Sequence, residues 1–123
     1  MDMQATQEEI GANVREYGFW EMHESMTPTH AAAWVKLGLI GTEVSEAMET
    51  LRDLNPQDNI VAWALEGSDY HEGVKPEGLA SEMADIIIRV LDMAQWLGIS
   101  MAEVMEAKMA YNATRPKGHG RTA

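Results

Sequence analysis

The segment LASEMADIIIRVLDMAQWLG, residues 79–98, decides the fold of this chain. At about 100° per residue, its apolar side chains cover one broad face of an α-helix. Gly98 suits the position just past the end of a helix. The segment therefore predicts a helix from about Leu79 to Leu97, buried over most of its circumference. The apolar face consists of Met83, Ile86, Ile87, Val90, Met93, Ala94 and Leu97.

The charged residues of this helix form one narrow stripe. They follow steps of three, four and three residues, and an aromatic residue continues the stripe: Glu82, Asp85, Arg89, Asp92 and Trp96. A solvent-exposed face is usually wider and mixes in Lys, Gln and Ser. The stripe therefore indicates an internal polar site, although pairing of Arg89 with Asp85 and Asp92 would make part of it structural.

The rest of the chain is also predicted to be helical. Thr27-Pro28 is typical of a helix start, and Ser100 with Glu103 forms a capping-box pattern. We predict one all-α, four-helix-bundle-like domain over residues 1–123, with a flexible basic tail at about 116–123. The predicted helices span about residues 6–20, 29–54, 79–97 and 100–112, with a helical turn at 60–65.

The charge balance limits the classes of partner. The chain has 20 acidic and 9 basic residues, a net charge of −11, so it repels nucleic acids and anionic membranes. It has no cysteine and no apolar run of about 18 residues, which excludes thiolate metal sites and spanning helices. We expect a soluble cytoplasmic protein. Any nucleotide site in such an acidic chain needs cations.

The second helix carries an acidic pair that matches the stripe. Glu43 and Glu46 are one turn apart, and an antiparallel packing of the two helices would set them opposite Glu82 and Asp85. Four close carboxylates need a counter-charge, and an all-oxygen set selects Mg²⁺, with Mn²⁺ as a substitute, over zinc. The alternative is that both pairs are ordinary solvated helix faces.

Three blocks of sequence resemble one family. They are LIGTEVSEA at 39–47, KPEGLASEMADIIIRVLD at 75–92 and KMAYNATRP at 108–116. Their order and spacing, over roughly residues 30–116, are similar to the MazG-like all-α nucleoside triphosphate pyrophosphohydrolases. The resemblance implies hydrolysis of an NTP or dNTP to the monophosphate and pyrophosphate, for housecleaning or control of the nucleotide pool.

The resemblance also implies roles for particular residues. The Mg²⁺ ligands and catalytic acids would be Glu43, Glu46, Glu82 and Asp85. The family often has a further acid where this chain has Thr42, so the number of metal ions stays open. The phosphate-binding residues would be Lys108, Asn112 and Arg115, whose basic members can alternatively complement a helix dipole. Lys117, His119 and Arg121 are weaker candidates for closing over the phosphates.

Base binding and oligomerisation complete the expectations. Aromatic faces stack on bases, which makes Trp20 and Trp34, with His23, candidates for base contacts; Trp63, Trp96 and Tyr70 are others, and each can instead be a packing residue. The resemblance implies a homodimer or homotetramer with sites near subunit interfaces.

Three other functions compete with this one. A phosphoribosyl-ATP pyrophosphohydrolase performs the same chemistry on a different substrate. A non-catalytic helical module that binds a basic partner through an acidic face would also explain the net negative charge. A di-iron bundle needs Glu-x-x-His pairs, which the four histidines do not form.

Overall fold

The computed structural model describes residues 1–16, 28–55, 57, 59–66 and 71–116. In these ranges the chain forms five helices and no strand beyond an isolated bridge between His71 and Val74. The helices are α1 (Met3–Glu16), α2 (His30–Arg52), α3 (Ile60–Ala64), α4 (Leu79–Leu97) and α5 (Met101–Thr114). The all-α prediction is confirmed for the described residues.

The helix ends follow local capping chemistry. Thr29, not the predicted Thr27, caps α2, because its extended backbone lets Oγ1 accept a hydrogen bond from the Ala32 amide at 3.2 Å. Gly98 ends α4 in the left-handed conformation, with φ +75°, as the sequence predicts. Ser100 caps α5 by accepting from the Glu103 amide at 3.4 Å.

Three predicted helix bounds shift. The first helix begins at Met3 rather than Thr6, because the Asp2 carboxylate accepts from the Ala5 amide. Its predicted end near Trp20 lies outside the described residues. The second helix ends at Arg52, and the last extends to Thr114.

Helix α4 is the centre of the fold. It packs against α1 and α2 over most of its length and touches α3, while α5 lies against α1. Ion pairs join Lys36 to Asp92 and Glu43 to Arg89, so residue numbers rise along α2 as they fall along α4. The two helices are therefore antiparallel, as the metal-site hypothesis requires.

Gln7 ties α1 to the junction of α4 and α5. Its Nε2 donates to Gln95 Oε1 at 3.1 Å and to the Ile99 carbonyl at 2.6 Å. Its Oε1 accepts from the Met101 amide at 3.3 Å, so this fully buried amide is satisfied. Gly11 permits the close approach, since a Cβ there would lie 2.5 Å from Gln95 Cγ.

Little of the apolar surface is covered within one chain. Among the described residues, the buried hydrophobic side chains are Ala32, Leu91 and Ala94. Large apolar side chains stay exposed along α2, on one side of α4 and on α5. They include Trp34, Leu37, Met48, Met83, Ile87, Met105 and Met109. The described helices thus present a larger apolar face than a monomer of this size usually leaves in water.

None of the helices in the described ranges has the length and apolar character that crossing a membrane requires.

Candidate metal centre

Three carboxylates converge where α2 faces the first half of α4. One oxygen each from Glu43, Glu82 and Asp85 lies within 4.8 Å of the other two. The antiparallel packing and the one-turn spacing of Glu82 and Asp85 bring them together. The set contains only carboxylate oxygens, the ligands that hard divalent cations prefer.

Glu82 is the member of this cluster whose negative charge is least satisfied by the described residues. Its Oε2 is buried and has no hydrogen-bond partner among the described residues. A buried carboxylate oxygen without a partner is costly. A divalent cation supplies the missing interaction, so the residues fit Mg²⁺ or Mn²⁺.

Mutual repulsion perturbs two acids of the site. The neighbouring Glu43 carboxylate raises the pKa of Glu46, and desolvation and Glu82 raise it further. Desolvation raises the pKa of Asp85, again with help from Glu43. The opposing cations, Arg89 and Lys75, lower the pKa of Asp85 without cancelling that rise. The carboxylates therefore hold more negative charge than the described chain neutralises.

Glu46 differs from the other three acids. It is exposed, lies outside the set that converges within 4.8 Å, and interacts with Glu43. It lines a cavity of about 280 Å³ on the side of the cluster towards α1. The described lining residues are Val14, Glu43, Glu46, Asp85, Ile88, Arg89 and Asp92. Glu46 therefore has access to solvent beside the cluster.

A second cavity, of about 290 Å³, opens towards α3 and the loop before α4. Glu82 contributes to this wall as well as to the carboxylate cluster. The described lining residues are Thr50, Asp53, Trp63, Lys75, Glu77, Gly78 and Glu82. The cluster thus has an opening on each side.

The alternative that Arg89 pairs with Asp85 and Asp92 is met only in part: Arg89 acts electrostatically on Asp85, but its ion pair is with Glu43. Arg89 Nε donates to Glu43 Oε1 at 3.2 Å, across the helix interface. Asp92 instead accepts from Lys36 Nζ at 2.9 Å, in a pair that is almost fully buried. The antiparallel register decides this, because it brings a cation from α2 to Asp92 and a carboxylate from α2 to Arg89.

The predicted phosphate-binding residues Lys108 and Asn112 lie on α5 and Arg115 directly follows it, apart from both cavities. None of the described residues lining either cavity belongs to α5. Lys108 Nζ lies 5.7 Å from the centre of the Tyr111 ring, and Arg115 Cζ lies 5.9 Å from it. Asn112 Oδ1 is buried without a partner among the described residues. Their role in phosphate binding stays a prediction.

Of the predicted base-binding residues that the structure describes, Trp63 lines the second cavity together with Glu82, whereas Trp34 lines neither cavity. Trp34 is 66% exposed and lines a shallow hollow with His30, Ala33 and Leu37. The sequence prediction for Trp20 and His23 falls outside the described residues, as do those for Tyr70, Lys117, His119 and Arg121.

Sequence reasoning missed two features that flank the cluster. The Lys36–Asp92 pair could have been found, since Lys36 precedes Glu43 by seven residues and Asp92 follows Asp85 by seven. Seven residues is nearly two helical turns, so Lys36 lies on the same helix face as Glu43, and Asp92 lies on the same face as Asp85. Lys75 belongs to an irregular loop, where periodicity gives no signal.

Comparison with protein-family models, with curated proteins and with solved structures found no match to this chain.

Proposed function

We propose that this protein is a Mg²⁺-dependent nucleoside triphosphate pyrophosphohydrolase of the MazG-like type, converting an NTP or dNTP to the monophosphate and pyrophosphate. The observation that carries the proposal is the convergence of Glu43, Glu82 and Asp85, with one buried oxygen of Glu82 left without a partner. The resemblance of the three sequence blocks supplies the substrate class.

The carboxylates create a site that a triphosphate reaches only with a cation. Mg²⁺ held by Glu43, Glu82 and Asp85 would neutralise them and polarise the phosphate oxygens. Without that charge the net negative site repels a polyphosphate. The acids would therefore bind the cation. The triphosphate would bind to that cation and not to the acids directly.

Glu46 is the best placed general base. It borders the carboxylate cluster without belonging to the set that converges within 4.8 Å, and its exposure leaves room for a water molecule. Glu46 takes the proton of the water that attacks the α-phosphorus, and pyrophosphate leaves. No covalent intermediate is needed.

Among the described residues, few cations lie near the carboxylates. Arg89 and Lys75 flank them, whereas Lys108 lies on α5 and Arg115 directly follows that helix. The exposed apolar faces of α2 and α4 supply a surface on which a second copy can pack. We therefore include a homodimer or homotetramer in the proposal, with α5 of another subunit contributing phosphate contacts.

The experiment is to measure pyrophosphate release from the common NTPs and dNTPs and from damaged nucleotides, in Mg²⁺ and in EDTA. Metal-dependent release with equimolar monophosphate is expected, and the substrate ranking separates housecleaning from pool control. Release only from phosphoribosyl-ATP would favour the related enzyme. No release from any substrate by the folded protein would favour the non-catalytic interaction module.

A further inference from the structure

We propose that the cavity between Glu82 and α3 is the nucleoside-binding subsite, and that it selects bases carrying an exocyclic amino group. The proposal rests on the proposed function, because it places the reacting phosphate at the carboxylate cluster. It adds a site and a direction of base preference that the sequence resemblance does not give.

The position of the cavity follows from Glu82. This residue lies both in the carboxylate cluster and in the wall of the cavity, so the two sites adjoin. Lys75 lines the same wall and acts electrostatically on Asp85. A nucleotide whose phosphate lies at the cluster can therefore extend past the Lys75 ammonium into the cavity.

The walls suit a nucleoside. Trp63, supplied by the short helix α3, is half-buried and offers an aromatic face. Stacking on such a face contributes a large part of base affinity for any base. The volume, about 290 Å³, is close to the lower end of small-ligand sites, about 300 Å³. The cavity on the other side of the cluster has no aromatic residue in its described lining.

The charge of the walls decides which part of the ligand enters. Asp53 and Glu77 line the cavity, and their ionised carboxylates accept hydrogen bonds but cannot donate them. They repel phosphates and favour groups that donate. The nucleoside end of the substrate therefore belongs here.

The same carboxylates discriminate between bases. Cytosine, adenine and guanine present amino groups that can donate to Asp53. Uracil and thymine present a carbonyl oxygen at the position of the cytosine amino group, which a carboxylate repels, and donate only through the neighbouring ring N3–H. One hydrogen bond to a charged group in a partly exposed site corresponds to a preference of about tenfold or more.

The test is equilibrium binding of dCMP and dUMP to the full chain in Mg²⁺, measured by calorimetry. These ligands differ at the amino group and the adjacent ring nitrogen. We expect dCMP to bind about tenfold more tightly than dUMP. Asp53→Asn should reduce that ratio towards one, and Trp63→Leu should weaken both ligands about tenfold. Glu9→Gln, on the exposed side of α1, is the matched control and should bind as wild type.

Two results would overturn the proposal. One is unchanged binding by both Asp53→Asn and Trp63→Leu, and the other is loss of binding in Trp34→Leu instead. Pyrophosphate release by wild type with either of these results leaves the proposed function standing and removes only the subsite. Selective dCMP binding without hydrolysis of any nucleotide keeps the subsite and contradicts the proposed activity.

Discussion

The interface between α2 and α4 has two polar ends, and they differ in how far negative charge is balanced by positive charge. At one end, Lys36 and Asp92 form a buried pair at 2.9 Å, and the Lys36 ammonium also lies 5.2 Å from the centre of the Trp96 ring. At the other end, Glu43, Glu82 and Asp85 converge. At the first end a buried cation and a buried anion are paired, while the second end has negative charge in excess among the described residues.

This difference is what distinguishes a structural ion pair from a candidate cation site. Buried charges persist when they are paired, so the Lys36–Asp92 end needs no ligand. At the other end, desolvation and then the Glu43 carboxylate raise the pKa of Asp85, and Glu82 Oε2 has no hydrogen-bond partner in the described chain. Removing charge should therefore weaken the first end and relieve repulsion at the second.

The largest expected effect is the loss of the buried pair. Asp92→Asn removes the carboxylate that pairs with the buried Lys36 ammonium at 2.9 Å and should lower the free energy of unfolding by about 3–5 kcal/mol. Chemical denaturation followed by circular dichroism measures this. The double variant Lys36→Met/Asp92→Leu should recover most of the loss, because an apolar pair of similar volume replaces both charges. A double variant as unstable as the single one would contradict this interpretation.

At the acidic end, one substitution should abolish activity without unfolding the chain. Glu82→Gln keeps the shape of the side chain but removes a ligand charge. It should reduce kcat/KM by on the order of 100-fold or more, since even outer partners of metal ligands cost about 10–100-fold. Pyrophosphate release measures it, with Glu9→Gln as the control for charge. Full activity of Glu82→Gln would remove this residue from the site.

Mg²⁺ should stabilise the protein in a pH-dependent manner. Asp85 and Glu46 have raised pKa values when folded, so the folded state holds more protons than the unfolded state just above their ordinary values of 3.8 and 4.5. Without metal, stability should therefore fall as pH rises through this window.

The same protons compete with the cation. At neutral pH, Mg²⁺ at about 100 times its Kd should add about 2.7 kcal/mol to the free energy of unfolding. That gain should disappear as pH falls into the window where Asp85 and Glu46 are protonated. Thermal melts with and without Mg²⁺ across the pH range measure both trends, and a metal effect that is independent of pH would disagree with them.

The smallest effect concerns the exposed ion pair between the two ends. Arg89→Gln breaks a partly exposed pair with Glu43 and should change stability by about 0–1 kcal/mol. Because Arg89 lowers the pKa of Asp85, its loss should move the acidic limb of the pH–activity profile to higher pH. A profile identical to wild type would show that Arg89 does not act on the acids.

How much the sequence predicts depends on periodicity. The heptad-like spacing of α4 and the caps at Gly98 and Ser100 predict the helices, and the Glu-x-x-Asp spacing predicts that Glu82 faces α2. The pairing of Arg89 with Glu43 is harder to predict, because Asp85 and Asp92 lie within about one turn of Arg89 on its own helix and compete as partners. Trp63 and Lys75 line the second cavity, but they belong to a short helix and to an irregular loop. Neither segment has a hydrophobic periodicity from which the direction of a side chain could be predicted.

The central claim is that the carboxylates of α2 and α4 hold a divalent cation. A titration with Mn²⁺ followed by electron paramagnetic resonance tests it most directly, on wild type, Glu82→Gln and the Lys36→Met/Asp92→Leu variant. The account predicts saturable Mn²⁺ binding that Mg²⁺ displaces, lost in Glu82→Gln and kept in the double variant. Equal Mn²⁺ binding by wild type and Glu82→Gln would contradict it.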